Sequence, residues 1–469
     1  MTSAADLSPS YDLVVIGGGP AGLAAASLAA RVGLSTVLFD ENPGVGGQIY
    51  RGITSTPIKN GTVLGEEYWA GGALASEAKV SGAAIVTGAT VWTLDPSLAV
   101  GVSIAGKARL IQARRVIIAT GALERPFPIP GWTLPGVMTA GAAQTTLKAQ
   151  GLVPDGRTVL AGCGPLLWLL AAQLLRAGVK IEAMLDTASR RNWLRALPHL
   201  PDFLLSPYWR KGLALLREVK AKVPVIAVDR LSAAGDGKLK EVVYGTGGTE
   251  HRLAADLLLL HHGVVPNVNL ANATGAAHRW NERQLCFEPV LDDDFTSSVP
   301  GIAVAGDGAG IAGGTAAAER GRIAAIAAVR ALKPEASVPD PQVVRQKLAR
   351  EEMGRAFLDI LYRPADSFRR PEGDTVVCRC EEVTARQVRA MADTGCEGPN
   401  QMKAFLRSGM GPCQGRLCGL TVTELIAEQR GLSPAEVGYY RLRPPVKPIT
   451  LAELASLPIG EAERKAVER

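Results

Sequence analysis

No apolar stretch in this 469-residue chain approaches the length that crosses a bilayer, about 20 residues. The longest candidate, residues 166–175, contains Gln173 and reads as a buried helix, so no transmembrane segment is expected. Charge of one sign is also scarce. Lys and Arg number 51 against 45 Asp and Glu, and a formal +6 without a clustered basic stripe makes no case for a nucleic-acid partner. The 5 histidines, with no Ser-His-Asp set, no HExxH and no paired-acid motif, assign no catalytic residue. Seven cysteines are too few and too unevenly spaced for a disulfide framework. The first ten residues have neither a basic start nor an apolar run of signal-peptide length, so the expected location is cytoplasmic.

What the sequence has in abundance is glycine, 52 residues, in a composition 47% hydrophobic and 20% charged. That balance suits an α/β fold with many strand-to-helix turns, and the length implies about three units. Residues 11–17 read as a buried parallel strand, 23–31 as a small-residue helix stopped by Gly33, and 35–39 as a second strand. The same βαβ order returns at 157–162, 166–177 and 180–185. The expected fold class is therefore α/β, with two Rossmann-like dinucleotide-binding domains. The expected boundaries are 1–125 for the first domain, 126–265 for the second and 266–335 for a return to the first. A linker region with one helix over 341–361 fills 336–370, a cysteine-bearing unit fills 371–440, and 441–469 forms an extended arm over the surface.

Gly17-Gly18-Gly19-Pro20-Ala21-Gly22 has GxGxxG spacing between a strand and a helix, where glycines permit close approach of a pyrophosphate to backbone N–H groups. Asp40, with Glu41 as its competitor, ends the second strand where an acid reaches a ribose hydroxyl. These motifs resemble the two-dinucleotide-domain flavoproteins of the glutathione reductase and ferredoxin reductase type. The resemblance extends to Gly46-Gly47-Gln48, to residues 116–121 ending in Ala119-Thr120-Gly121, to Gly263-Val-Val-Pro-Asn267 and to Gly306-Asp307, and so covers 11–330. It implies FAD, with Gly47 and Gln48 on phosphate and ribityl groups, Asp307 on the ribityl chain and the backbone of Val91 at the adenine. In the second glycine loop, Gly162-Cys163-Gly164-Pro165-Leu166-Leu167, the third glycine position is Leu167, which is expected to hinder helix packing and nucleotide approach. Cys163 and Cys286 show no CxxC, so they read as small buried filler rather than a redox disulfide.

Cys378 and Cys380, then 32 residues, then Cys413 and Cys418 make two close pairs, each suited to one iron of a binuclear cluster; tetrahedral zinc is the alternative, and Cys396 is spare. With Gly409-Met-Gly-Pro-Cys413-Gln-Gly-Arg416, this stretch resembles the bacterioferritin-associated ferredoxin type of small, mostly helical [2Fe-2S] domain. Arg379, Arg407 and Arg416 stand near the four thiols in sequence, where positive charge would offset that of a cluster.

A flavin domain pair joined to such a domain, with Gly46-Gly-Gln-Ile-Tyr-Arg51 and Glu67-Tyr-Trp69, resembles the A subunits of opine oxidases, of hydrogen cyanide synthase and of proline or hydroxyproline dehydrogenases. The resemblance implies an electron-transfer subunit. Its implied partners are an amino-acid-oxidase-like β subunit that oxidises the C–N bond of a small amine or amino acid, and a small additional subunit. It also leaves room for FMN at a subunit interface. Two other classes remain open from the residues: a self-contained NAD(P)H-dependent FAD reductase feeding the cluster, and a non-redox adenine-nucleotide-binding scaffold.

Overall fold

The computed structural model describes residues 7–458, 460 and 465. Strand Ser10–Ile16 is fully buried over its last four residues, because crossover helices cover both faces of the sheet around it. It lies between Thr36–Asp40 and Lys107–Ile118 in a seven-stranded sheet. Strand Lys107–Ile118 changes partners along its length. Its first half runs antiparallel to Ala99–Ile104, and its second half runs parallel to Ser10–Ile16. The burial pattern follows, alternating first and continuous at the end. Ile302–Val304 joins parallel to the same end and completes the first sheet.

The second sheet is wholly parallel, in the order Val225–Ala227, Ile181–Asp186, Thr158–Gly162, Leu257–His261, Val137–Thr139. A ribbon of Ala122–Glu124 antiparallel to Val264–Pro266 carries the chain out to this domain and back. The α/β class with two Rossmann-like sheets is therefore as the sequence implies. Leu167 is a correction: it is fully buried in the second core among Leu64, Leu170 and Leu174, and it fills that core rather than obstructing it.

The position of the first loop depends on helix Pro20–Arg31 lying against helix Gly314–Leu332. A Cβ on Gly321 would stand 2.1 Å from the Ala21 carbonyl oxygen, so the approach requires glycine there. The linker helix expected over 341–361 is two helices, Pro341–Glu352 and Arg355–Leu361. Gly354, with φ +80°, breaks them where the chain is pressed onto Phe203 and Ser206.

Beyond it lies a small, mostly helical unit with strands Val376–Cys378 and Val383–Thr384 and helices Ala385–Asp393, Pro399–Leu406 and Gly419–Arg430. Trp132 Nε1 donates to the Val376 carbonyl (2.7 Å) and Asn269 Nδ2 to the Gln414 carbonyl (3.1 Å), which holds this unit against both sheets. The tail is not a simple surface arm. Leu442 and Val446 are buried, the Val446 N–H donates to the Trp92 carbonyl (2.8 Å), and a short helix, Leu451–Ala455, follows. Among the described residues, no helix is long and apolar enough to cross a membrane.

Arg369 (5% exposed) pairs with Glu424 (2% exposed) at the joint between linker and small unit, and Arg370 stands 3.9 Å from the same carboxylate. Removing Arg369 leaves a buried charge with partial compensation only. Arg369→Ala is expected to lower stability by about 3–5 kcal/mol, read as a fall in the urea midpoint.

Candidate functional site

The first glycine loop is tight by necessity. A Cβ on Gly22 would lie 1.8 Å from the Gly17 carbonyl oxygen, and one on Gly17 (φ +110°) would lie 2.4 Å from that of Ala119. Pro20 opens the helix, where its missing N–H costs nothing, and Gly19 supplies no side-chain cap. The N–H groups of the first turn are thus left for an anionic group, the arrangement that receives a pyrophosphate. Asp40 braces the loop from below: its Oδ2 accepts from the Gly18 N–H (2.6 Å) and its Oδ1 from the Asn42 N–H (2.8 Å). Its neighbour Glu41 turns away to an ion pair with Lys447 (2.7 Å), so the structure brings Asp40 to the loop and leaves Glu41 with the tail.

Of the other residues expected around FAD, Gly47, Ala119 and Gly306 approach the same loop and helix end, with Gly46 beside them, and Val91 does not. The Gly46 N–H donates to the Gly18 carbonyl (2.7 Å), and a Cβ on Gly47 would lie 2.8 Å from Gly19 Cα. The Ala119 N–H donates to the Ile16 carbonyl (2.8 Å), while Thr120 and Gly121 bond to Asn267. A Cβ on Gly306 would stand 2.8 Å from Ala21 Cβ, and Asp307 Oδ1 accepts from the N–H groups of Ala312 and Gly313 (3.0 Å each). Val91 belongs with Val37 and Phe39 in the first core.

Lys148 escapes a reading of the sequence, since one lysine on an ordinary helix carries no signal. It is buried, and its ammonium donates to the carbonyls of Gln48 (3.2 Å) and Ile49 (3.0 Å) and to Gln144 Oε1 (2.9 Å). The loop at Gln48 is thereby fastened to helix Ala140–Gln150, and Thr145 adds a hydroxyl to Gln48 Oε1 (3.3 Å). Burial, and after it the Arg51 charge, brings the Lys148 pKa down to about 7.

The turn of the second glycine loop is packed under a cover, while Pro165 at its helix start is exposed. Gly162, Cys163 and Gly164 are buried, whereas Gly17 and Gly19 are half-buried. The cover is residues 361–364. Cys163 Sγ lies 3.5 Å from the Tyr362 carbonyl oxygen, Asn192 Nδ2 donates to the carbonyls of Leu361 (3.2 Å) and Arg363 (2.8 Å), and Pro364 bridges to Ala188. Burial raises the Asp186 carboxyl at the end of the neighbouring strand and the Tyr362 phenol beside it. The Cys163 and Cys286 thiols are buried singly and pushed up to about 12.

The four clustered cysteines meet crosswise. Cys378 is within side-chain hydrogen-bond reach of Cys418, and Cys380 of Cys413, while Cys378 also acts on Cys380 and Cys413 on Cys418, so the four thiols share one neighbourhood. The first pair is buried and the second half-exposed; the Cys418 bond draws the Cys378 thiol down to about 6. Tyr440, fully buried, places its hydroxyl 3.8 Å from Cys418 Sγ and 3.1 Å from Ser408 Oγ. Its ring lies so close to Gly409 and Gly415 that a Cβ on either would stand 2.6 Å from it. Among the described residues, no three His, Cys, Asp or Glu side chains converge on one point. Cys396 stays apart, 3.5 Å from the Gly398 carbonyl oxygen. Of the nearby arginines, Arg379 lies over the Trp132 ring, Arg407 pairs with Glu381 (3.0 Å) and Arg416 donates to the Val446 carbonyl (3.2 Å).

Two sheets built on parallel βαβ units, one mixed and one wholly parallel, that exchange chain through one ribbon are the architecture of a two-domain, dinucleotide-type oxidoreductase. Residues 11–330 match the family described as pyridine nucleotide-disulphide oxidoreductase, and 372–457 match the sarcosine oxidase A3 domain. The chain is 49% identical to the opine oxidase A subunit of Agrobacterium tumefaciens (strain Ach5), over 99% of its own length and 95% of the relative's. It is 32% identical to the HcnB subunit of hydrogen cyanide synthase from Pseudomonas aeruginosa, over 95% and 98%. Its fold is similar to that of L-proline dehydrogenase from P. horikoshii, with TM-score 0.71 at 20% identity over 95% of this chain and 79% of that one. The chain belongs to the pyridine nucleotide-disulphide oxidoreductase family, in the branch of the opine oxidase A subunits.

Two outcomes are expected. Gly22→Ala forces the first loop open and abolishes the visible flavin absorbance of the purified protein. For Lys148, the unfolded chain keeps a proton up to about pH 10 that the folded chain has already lost above about 7. Wild-type stability therefore rises with pH across that window, by up to about 1.4 kcal/mol per unit from this group. In Lys148→Gln that component of the slope in the urea midpoint disappears.

Proposed function

We propose that this chain is the electron-transfer subunit of a heteromeric, FAD-dependent dehydrogenase whose partner subunit oxidises the C–N bond of an opine or similar amino acid. The observation that carries the reading is the contrast between the two glycine loops. Both helix ends lack a side-chain cap, but the glycine turn of the second lies under residues 361–364. A chain that takes electrons from a partner protein needs the first and has no use for a nicotinamide entry at the second. The names of its relatives, each given as one subunit of an opine oxidase or of a hydrogen cyanide synthase, support a multi-subunit assembly.

In this reading Gly17, Gly19, Pro20, Ala21 and Gly22 receive the pyrophosphate, and Asp40 keeps the loop in shape at the ribose. Gly47 and Gln48, fastened by Lys148, line the middle of the FAD, with Ala119, Thr120, Gly121, Gly306 and Asp307 along its other side. Val91, whose side chain lies in the first core, would face the adenine through its backbone only. The crosswise thiols of Cys378 with Cys418 and Cys380 with Cys413 would hold a [2Fe-2S] cluster, since two separate thiol pairs suit two irons better than one tetrahedral zinc. Tyr440 offers its hydroxyl to Cys418. When bound, flavin supplies the exchange between hydride equivalents and single electrons, and the paired irons a one-electron carrier. The partner is an amino-acid-oxidase-like subunit, with an FMN at the shared interface.

The test is an anaerobic titration of the chain, alone and co-purified with its partner. The flavin spectrum should bleach on addition of opine only when the partner is present, and should not respond to NADH or NADPH. Rapid bleaching of the lone chain by either nucleotide would overturn the reading in favour of a self-contained reductase. A preparation reconstituted with iron and sulfide that shows no cluster signal by electron paramagnetic resonance would remove the [2Fe-2S] assignment.

A further inference from the structure

Asp307 and helix Gly314–Leu332 are joined by a segment with little stiffness of its own. Gly310 (φ +122°) and Gly313 (φ +107°) bracket Ile311 and Ala312 in conformations that glycine adopts freely. What fixes the segment comes from a distant hairpin, strands His278–Asn281 and Cys286–Pro289. Gln284, in its turn, takes both backbone groups of Ile311: its Oε1 accepts from the N–H (3.1 Å) and its Nε2 donates to the carbonyl (2.9 Å). A carboxylate or an apolar side chain of the same length could not do both. Gln284 is itself held from three sides. Its Nε2 also donates to Asp359 Oδ2 (3.1 Å) on the linker helix, and Arg355 donates to the other oxygen of that carboxylate (2.6 Å). Its own N–H donates to Asn281 Oδ1 (3.0 Å), and the buried Arg125 donates to the Gln284 and Leu285 carbonyls (2.5 and 2.8 Å).

The clamp matters because of what lies on either side of Ile311. Asp307 Oδ1 accepts from the next two N–H groups, those of Ala312 and Gly313, so a shift of Ile311 would be passed to Asp307. Beyond Gly313 the helix begins with no side-chain cap and no acid in its first turn, which leaves the positive end of its dipole uncompensated. That end abuts the loop of Gln48: a Cβ on Gly314 would stand 2.5 Å from Ile49 Cδ1. We propose that Gln284 is a positioning residue for the flavin. By clamping Ile311 it keeps Asp307 and the open helix start facing the seat, and so sets how tightly FAD is held and how readily it accepts electrons. The inference rests on the reading that FAD lies along Gln48 and Asp307. Reduction adds negative charge to a flavin, which a positive helix end favours, so freeing the segment should lower the potential.

The experiment measures the FAD dissociation constant and the flavin potential of the full chain, the latter by equilibration with mediator dyes. Neither opine, partner subunit nor nicotinamide is added, so the result does not depend on where the electrons come from in the complex. Gln284→Met, of similar length but without the amide, should weaken FAD binding about tenfold and shift the oxidised-to-reduced equilibrium about tenfold, a fall of about 30 mV for a two-electron couple. Should Gln284→Met fail to fold, Gln284→Asn, one methylene short of Ile311, should show a smaller fall in the same direction. Leu174→Ala loosens the second core without touching the segment and should leave the potential at the wild-type value. A wild-type potential in whichever Gln284 variant folds would overturn this proposal alone. An equal fall in Leu174→Ala would overturn it too, since any loosening would then suffice. A wild-type chain that takes up no FAD would overturn it together with the reading on which it rests.

Discussion

The structure depends on one close approach. Helix Pro20–Arg31 starts so near its own loop that Gly22 touches the Gly17 carbonyl, and it lies so near helix Gly314–Leu332 that Gly321 touches the Ala21 carbonyl. Side chains larger than hydrogen at Gly22 or Gly321 would push the helix away. Because both contacts hold, residues separated by nearly 300 positions, Gly17 and Gly306, meet at a single helix end. The small-residue sequence of both helices, alanine at most core positions, is the physical cost and the means of that approach: it gives up apolar area per residue to gain proximity.

The two dinucleotide-type units show how one architecture serves opposite ends. Both begin with a glycine turn and a proline at the start of the helix, and both helices lack a side-chain cap. What separates them is what packs against each turn. Residues 361–364, held by Asn192, cover the second turn, while the first turn is flanked by the loop that Lys148 ties down. The small thiol-bearing unit sits on the first domain through Asn269 and Gln414, and Asn267, two residues earlier, bonds to Gly121. A short covalent and hydrogen-bonded path therefore joins the loop expected at the flavin to the loop of Cys413.

Much of this is legible in the sequence, because it rests on local rules. Buried parallel strands, small-residue helices and glycine turns are written at fixed spacings, and the α/β class with its two βαβ units follows from them. The linker helix reads as continuous because Gly354 looks like any other glycine until Phe203 and Ser206 are found against it. The tail reads as an arm because Val446 shows no periodicity, yet it is buried in the first core.

By itself the sequence determined the order of elements, the place of the first loop and the clustering of four cysteines, since each follows from neighbours along the chain. Tertiary structure alone decided which of Asp40 and Glu41 braces the loop, which thiols pair, and that the second glycine turn is covered. Each of those outcomes turns on groups that meet from distant segments, such as Lys447 with Glu41, Cys378 with Cys418 and Tyr362 with Cys163. Local spacing carries no record of such meetings, because burial and hydrogen bonding are set by what packs from elsewhere.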